Sequence, residues 1–124
     1  MAQARVRYDS TSSITYKAAQ DVIAGRLVEL QAAGSAQHAA AGSEKVLGVA
    51  MYDAATGEYF EVRSEGIVEL EASSAVSVGS LLVADADGKV VAYSGSSNNP
   101  NQVIGLAESD SDANQKVWVR LYNH

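Results

Sequence analysis

Val46-Leu47-Gly48-Val49-Ala50 returns later in the chain as Val103-Ile104-Gly105-Leu106-Ala107. The same spacing relates Phe-Glu-Val-Arg at residues 60–63 to Val-Trp-Val-Arg at residues 117–120. The extra residues of the second copy fall around residues 97–100, where two asparagines and a proline are typical of a loop. We therefore interpret the chain as two copies of one supersecondary unit.

The segments upstream of these runs match as well, at a slightly shorter spacing. Gly-Arg-Leu-Val at residues 25–28 corresponds to Gly-Ser-Leu-Leu at residues 79–82. The copies then cover residues 13–63 and 67–120, which are too few repeats for a solenoid. We expect them to close on each other, with pseudo-twofold symmetry, into one β domain over residues 13–124. Residues 1–12 precede the first copy and are predicted to be a flexible N-terminal arm without a partner strand in the core.

The residue pattern is that of short β-strands separated by turns. Val117, Val119 and Leu121 alternate with other residue types, which predicts a strand with its valines and leucine buried and Arg120 exposed. The glycines inside the two matching runs predict a bulge, a bend or a close backbone approach. The strand candidates are residues 14–16, 27–31, 46–52, 59–63, 67–70, 81–84, 90–93, 103–108 and 117–122.

The alanine-rich segment at residues 31–41 tests this interpretation. Helix propensity alone favours a helix there. Its counterpart at residues 85–93 contains Asp87-Gly88, a strong signal for a two-residue hairpin between strand-forming residues. Because the repeat outweighs local propensity, we predict a hairpin for residues 31–41 and an all-β fold for the chain.

Composition limits the classes of function. A chain of 124 residues corresponds to one domain, and the absence of cysteine fits assembly in a reducing cytosol. No apolar run approaches the ~18 residues that would span a bilayer, so we expect neither a standard secretion signal nor a membrane segment. The net charge of −6 argues against nucleic acid as a partner, because duplex binding requires a basic face.

Residues suited to catalysis or metal binding are few. His38 and His124 lack metal-ligand spacing and are expected to be exposed. Glu69 and Glu71 lie two residues apart, which fits an exposed strand face better than an acid–base pair. The acidic run at residues 108–114 could hold Ca²⁺ weakly, although polar loops are usually acidic for solvation alone. The sequence thus predicts no catalytic residue and no cofactor.

One group of residues has the composition of a protein interface. Trp118, Arg120 and Tyr122 share one face of the predicted last strand. Tryptophan, tyrosine and arginine are the residue types that anchor protein–protein contacts. The alternative is that these side chains fill the interior of a barrel. We favour a subunit interface.

The order of several short motifs resembles the small capsid decoration (cement) proteins of tailed bacteriophages. These motifs are Val-x-Ala-Gly-x-Leu-Val at 22–28, Val-Leu-Gly-Val-Ala at 46–50, Gly-Ile-Val-Glu-Leu at 66–70, Val-x-Val-Gly-Ser-Leu-Leu at 76–82, Val-Ile-Gly-Leu-Ala at 103–107 and Val-Trp-Val-Arg-Leu at 117–121. The resemblance implies a small β-clip or β-tulip-like barrel, often a homotrimer, made in the host cytoplasm and placed on the exterior of the virion capsid. There it would stabilise the shell by bridging subunits of the major capsid protein.

In proteins of this kind an N-terminal segment commonly reaches the shell. Here that segment is the arm, and we expect Arg5, Val6, Arg7 and Tyr8 to contact the capsid and to become ordered there. A rival hypothesis is a virion-surface module that binds carbohydrate or a host surface, although the sequence has only one tryptophan and 6% aromatic residues. A third hypothesis, a metal-assisted hydrolase built on residues 108–114, lacks a histidine or a closed set of ligands.

Overall fold

The regular structure of this protein is almost entirely β, as the sequence predicts. The computed structural model describes residues 6–8 and 13–122. Two 3₁₀ turns, Ala86–Gly88 and Pro100–Gln102, accompany the strands. The strands are β1 (Val6–Tyr8), β2 (Ser13–Ala18), β3 (Leu27–Ala32), β4 (Ser35–His38), β5 (Val46–Ala50), β6 (Tyr59–Arg63), β7 (Gly66–Glu71), β8 (Leu81–Ala84), β9 (Val90–Ala92), β10 (Val103–Ala107) and β11 (Lys116–Leu121).

The strands form two sheets with the same internal order. The first half of the chain, β2 to β6, closes into a barrel in the order β2-β4-β3-β5-β6, with β2 and β4 parallel. The second half, β7 to β11, pairs in the order β7-β11-β10-β8-β9. A parallel bridge between Ala72 and Val90 joins its two ends, where the first half has the β2–β4 pair. Each strand of the first half therefore has an equivalent in the second.

Equivalent hydrogen bonds fasten the loops of both halves. The Asp53 carboxylate accepts a bond of 2.8 Å from the backbone N–H of Ala24, and the Asp110 carboxylate accepts one of 2.8 Å from the N–H of Val78. In both halves the aspartate follows the strand with the internal glycine. The aspartate that the two halves share is therefore a loop anchor.

The glycines of the repeated runs are required by a close backbone approach, as predicted. A Cβ at Gly48 would collide with the carbonyl oxygen of Arg63, and a Cβ at Gly105 would collide with that of Arg120. The register of β5 on β3 and of β10 on β8 also shifts at these positions, which marks a bulge. Any side chain at either glycine would force the neighbouring strand away.

The alanine-rich segment is a hairpin rather than a helix, which confirms the prediction from the repeat. Strands β3 and β4 pair antiparallel on either side of Gly34, which has a φ of 74°. In the second half Gly88 also has a φ of 74°. The predicted two-residue turn at Asp87-Gly88 is wrong in length, because these residues belong to the 3₁₀ turn Ala86–Gly88, with Asp87 itself at a φ of 60°.

The buried apolar residues form two clusters, one inside the first half and one between the two halves. One fills the barrel of the first half and contains Ala18, Val22, Val28, Ala36, Ala50, Ala54, Phe60 and Val62. The second cluster contains the equivalent inward residues of the second half, including Val68, Leu70, Leu82, Val117 and Val119. It also contains Leu27, Ala39, Val49 and Met51 of the first half. The outer face of the first half therefore packs on the inner face of the second.

This arrangement corrects the expected pseudo-twofold symmetry. Under a twofold axis the same face of each half would meet its counterpart. Instead, Leu27 on the first half is fully buried while Leu81, its equivalent, is 39% exposed. The two halves are packed head to tail, so one copy of the outer face is covered and the other is not.

The last strand follows the predicted alternation. Val117, Val119 and Leu121 are buried and Arg120 is exposed. The inward residues belong to the second apolar cluster. The two-residue period was therefore sufficient to orient this strand.

The N-terminal arm departs from the expectation at one point. The sequence offered no partner strand for residues 1–12, but β1 pairs antiparallel with β7, with Val6 opposite Val68. The outer edge of β7 was available for this pairing because the second half is joined there by a single bridge. Residues 1–5 and 9–12 lie outside the described residues, as do the side-chain contacts expected of Arg5, Val6, Arg7 and Tyr8.

Among residues 6–8 and 13–122, no helix is both long enough and apolar enough to cross a membrane.

Candidate functional site

The residues expected at a subunit interface lie together on the outer side of the second sheet. Trp118 is half-buried, while Arg120 and Tyr122 are exposed. They point away from the core because their neighbours in β11 fill it. The backbone N–H of Trp118 donates a hydrogen bond of 3.0 Å to the Ser109 hydroxyl, which fixes the loop before β11 against the strand.

The neighbouring strands extend this surface with residues that the sequence analysis did not select. Leu106 on β10 and Ile67 on β7 lie opposite Arg120 on its two sides, and Leu81 on β8 lies opposite Leu106. Leu106 and Ile67 are half-buried, and Leu81 is exposed. We call this surface, made of Ile67, Leu81, Leu106, Trp118, Arg120 and Tyr122, the outer sheet face. The sequence repeat shows that both halves have such a face, but it cannot show that the face of the first half is covered and that of the second half is not.

An ion pair orients the arginine at the centre of the outer sheet face. The Arg120 Nε atom lies 2.8 Å from Glu108 Oε2, and the arginine side chain is 52% exposed. An exposed pair of this kind contributes only about 0–1 kcal/mol to stability. Its main effect is to restrain the Arg120 side chain on this face.

The acidic run at residues 108–114 is used to shape a loop. Glu108 pairs with Arg120, and Asp110 accepts the bond from Val78 described above. Asn114 adopts a positive φ of 61°, a conformation that asparagine tolerates better than most residues. Within the described residues, no three carboxylate or imidazole groups are grouped so that they could hold a metal ion.

His38 is not exposed, in contrast to the expectation. Its ring is half-buried, and Nε2 accepts a hydrogen bond of 3.1 Å from the backbone N–H of Ile23. Burial lowers the pKa of His38, and the nearby positive charge of Arg26 lowers it further. The imidazole therefore serves as a neutral acceptor that ties β4 to the loop before β3. His124 lies outside the described residues.

The two carboxylates of β7 are half-buried rather than fully exposed. Glu71 lies 3.5 Å from Arg26 Nη2 and 3.3 Å from Lys89 Nζ. Arg26 also donates a bond of 3.1 Å to the carbonyl oxygen of Asp87. Because Arg26 belongs to the first half and Glu71 to the second, this cluster ties the two halves together.

Glu29 is a buried carboxylate that the sequence analysis missed. It is 4% exposed and accepts hydrogen bonds of 3.0 Å from both the Gln37 side chain and the backbone N–H of Ala40. Burial acts to raise the pKa of Glu29, but these bonds, with Ser43 and the charge of Lys45, outweigh it and lower the pKa. Glu29 is thus held ionised, and its role is structural: its hydrogen bonds fix β4 and the residues that follow it.

A shallow groove lies on the outside of the first barrel. It has a volume of about 540 Å³ and is lined by Tyr52, Tyr59, Thr15, Glu58 and Glu61, among others. Tyr59 is 70% exposed, which leaves its ring open to solvent. The groove therefore combines two tyrosine rings with several hydrogen-bond acceptors.

Comparison with known proteins shows which family combines this duplicated β fold with a surface on which we identify no catalytic site among the described residues. A sequence profile described as phage cement protein matches residues 6–121. The chain belongs to the phage cement protein family. This match covers both halves of the cement protein and β1.

Among solved structures, the cement protein is similar to the N base of the head fibre gp8.5 of bacteriophage phi29. The TM-score is 0.72 and the sequence identity is 25%, over 90% of this chain and 93% of that chain. No curated protein sequence matches the chain significantly. These findings establish a structural, capsid-associated protein of a bacteriophage, located at the exterior of the virion capsid.

Proposed function

We propose that this cement protein decorates the outer surface of a phage head and stabilises the shell by bridging neighbouring subunits of the major capsid protein. The family match to residues 6–121 carries the proposal. A ligand that binds only the assembled shell stabilises it by mass action, and many identical contacts reinforce one another. A small domain with short strands and hydrogen-bonded loops is rigid enough to hold two neighbouring capsid subunits together.

The proposal is tested with undecorated heads. Added protein should co-sediment with the heads and raise the temperature at which they release their DNA. Binding that leaves the release temperature unchanged would contradict bridging. Absence of co-sedimentation would contradict decoration itself.

We propose that the arm contributes to capsid contact through Arg5, Val6, Arg7 and Tyr8. Residues 1–26 hold four basic and two acidic residues, whereas the chain as a whole has a net charge of −6. A basic segment can pair with acidic groups of the shell, and ordering of the arm on binding would cost part of that energy. Because β1 contributes to the sheet, the test uses the full chain.

Arg5→Ala combined with Arg7→Ala should weaken co-sedimentation with heads at least tenfold and leave the melting temperature nearly unchanged. Lys17→Ala combined with Lys45→Ala removes the same charge from exposed positions elsewhere and serves as the control. Equal losses in both double variants would show that net charge, and not the arm, governs binding.

We also propose that the cement protein associates with itself as a homotrimer. The cluster of Trp118, Arg120 and Tyr122 supports this, since these residue types anchor protein contacts and closed association would cover them. Trp118→Ala should weaken association by about 2 kcal/mol if this side chain is a hot spot. Sedimentation velocity measures the effect, and a protein that stays monomeric in solution and on heads contradicts the proposal.

We infer that the role is structural, without enzymatic activity or a cofactor. The acidic groups that could have suggested chemistry are engaged in structural contacts, as Glu29, Glu71, Glu108 and Asp110 show. The surplus of acidic residues also disfavours adhesion to the packaged nucleic acid.

A second candidate function is recognition of carbohydrate or a host surface. The observation in its favour is the groove with Tyr52 and Tyr59, because exposed aromatic rings can stack on sugar rings while the carboxylates of Glu58 and Glu61 accept hydrogen bonds from sugar hydroxyls. A glycan-binding screen tests it, with Tyr59→Ala compared with the wild-type protein. Binding that survives Tyr59→Ala would exclude this groove.

A further inference from the structure

We propose that copies of this protein contact one another through the outer sheet face, with Leu81 and Leu106 at the centre of the contact. This inference rests on the proposed self-association and names its surface. It does not depend on attachment to the capsid.

The first argument is the position of these leucines in the repeat. Leu27 begins β3 and lies opposite Val49 on β5, while Leu81 begins β8 and lies opposite Leu106 on β10. The two pairs are therefore equivalent. Leu27 and Val49 are completely buried, whereas Leu81 is 39% exposed and Leu106 is half-buried.

The second argument is that this face already serves as a packing surface once within the chain. In the first half it is covered by the second half, whose Gly88 donates a hydrogen bond of 3.0 Å to the carbonyl oxygen of Ala39. Gly42 in turn donates a bond of 2.9 Å to the carbonyl oxygen of Ala84. The equivalent face of the second half has no third half to cover it. Leu81, with the half-buried Leu106 and Ile67 beside it, therefore leaves apolar surface in contact with solvent where the first half has a packed contact.

The third argument decides what can cover that face. Head-to-tail stacking would require the inner face of another copy's first half. That face is closed into a barrel around Val28, Phe60 and Val62, so it is not available. Copies therefore cannot repeat the packing of the two halves along an open filament, and we infer that they turn their outer sheet faces toward a common symmetry axis.

The composition of the face fits a second copy of the chain. Trp118, Tyr122 and Arg120 flank the leucines, and these three residue types are enriched in the centres of protein interfaces. Glu69 and Glu108 border the apolar residues on the neighbouring strands. The face thus has an apolar centre with a polar rim.

The test compares two leucines with the same exposure. Leu81 and Leu30 are each 39% exposed, but Leu30 lies on the first half, outside the outer sheet face. Leu81→Glu should weaken self-association at least 30-fold in sedimentation equilibrium, whereas Leu30→Glu should leave it within twofold of the wild type. Both variants should melt near the wild-type temperature, because both side chains already contact solvent.

A thiol variant gives an independent readout, since the chain has no cysteine. Leu81→Cys should form disulfide-linked pairs on mild oxidation, and Leu30→Cys should remain monomeric on a denaturing gel. Equal behaviour of the two positions in either assay, or a wild type that is monomeric at millimolar concentration, would overturn the proposal. Co-sedimentation with heads is measured separately, because it tests decoration and not this surface. Self-association without binding to heads would contradict decoration and leave the proposed contact surface intact.

Discussion

Leu27 and Leu81 occupy equivalent positions in the two halves of this cement protein, yet only Leu27 is buried. Leu27 lies between the two sheets, in the apolar cluster that joins the halves, while Leu81 is 39% exposed on the outer sheet face. The difference follows from head-to-tail packing, in which each face of the unit is used differently in each copy. Equivalent residues therefore have different energetic roles.

This difference predicts unequal effects of the same truncation. Leu27→Ala should destabilise the protein by about 3 kcal/mol, because a fully buried leucine leaves a cavity. Leu81→Ala should cost less than about 1 kcal/mol in the monomer, since solvent replaces the lost atoms. Urea denaturation at a protein concentration low enough to keep the chain monomeric measures both. Similar losses would contradict the head-to-tail arrangement.

Gly105→Ala should be destabilising by at least about 2 kcal/mol, because its Cβ would collide with the carbonyl oxygen of Arg120 and push β11 away from β10. Gly95→Ala is the control, since nothing lies within 4 Å of a Cβ there and its backbone is not in the left-handed region. Thermal unfolding of the two variants checks the prediction. Gly48→Ala should behave like Gly105→Ala.

Asp110→Ala should destabilise the protein by about 1 kcal/mol by removing the acceptor for the Val78 N–H. Asp110→Asn keeps an acceptor oxygen at this position and should lose less. Amide hydrogen exchange offers a local readout, in which the Val78 amide should exchange faster in Asp110→Ala. An unchanged exchange rate would show that the loop is held by other contacts.

Stability should fall as the solution is acidified through the ordinary pKa of histidine. The pKa of His38 is lowered in the folded protein, mainly by burial. The folded state therefore binds fewer protons than the unfolded state, and stability present above about pH 6.5 is lost below it. His38→Gln should lack this part of the pH dependence between pH 7 and pH 5.5. A pH profile identical to the wild type would contradict a neutral, buried acceptor.

Glu71→Gln should destabilise the protein by about 1 kcal/mol at low salt, because it removes the charge shared by Arg26 and Lys89. The loss should shrink in 1 M salt, where such interactions are screened. Glu44→Gln, at an exposed position, is the matched control. Equal salt dependence in both variants would show that the cluster does not couple the halves.

Much of the local structure could be predicted from residue patterns. The period of two in Val117, Val119 and Leu121 oriented β11 correctly, because side chains of a strand alternate whatever lies on either face. Gly48 and Gly105 predicted a bulge, a bend or a close backbone approach, because a glycine inside a strand usually marks one of these features, and the structure has a bulge with a close approach at both. The repeat also overruled helix propensity for the alanine-rich hairpin.

The site residues were predicted only in part. Trp118, Arg120 and Tyr122 do share one face, but Leu81 and Leu106 beside them were not selected. The exposure of His38 was mispredicted, because the Ile23 N–H that it accepts from lies fifteen residues away along the chain. The pairing of β1 with β7 was missed for a similar reason, since an open sheet edge is visible only once the sheet is built.

The sequence by itself determined that this protein is a duplicated β unit, where its strands run and which residues of each strand share a side. These properties depend on local alternation and on matching residues, both of which are written along the chain. Only the tertiary structure decided which face of each half is buried, because that depends on how two sheets meet in space. Leu27 and Leu81 have the same local pattern, and only the packing of one half on the other makes the first a core residue and leaves the second on the surface.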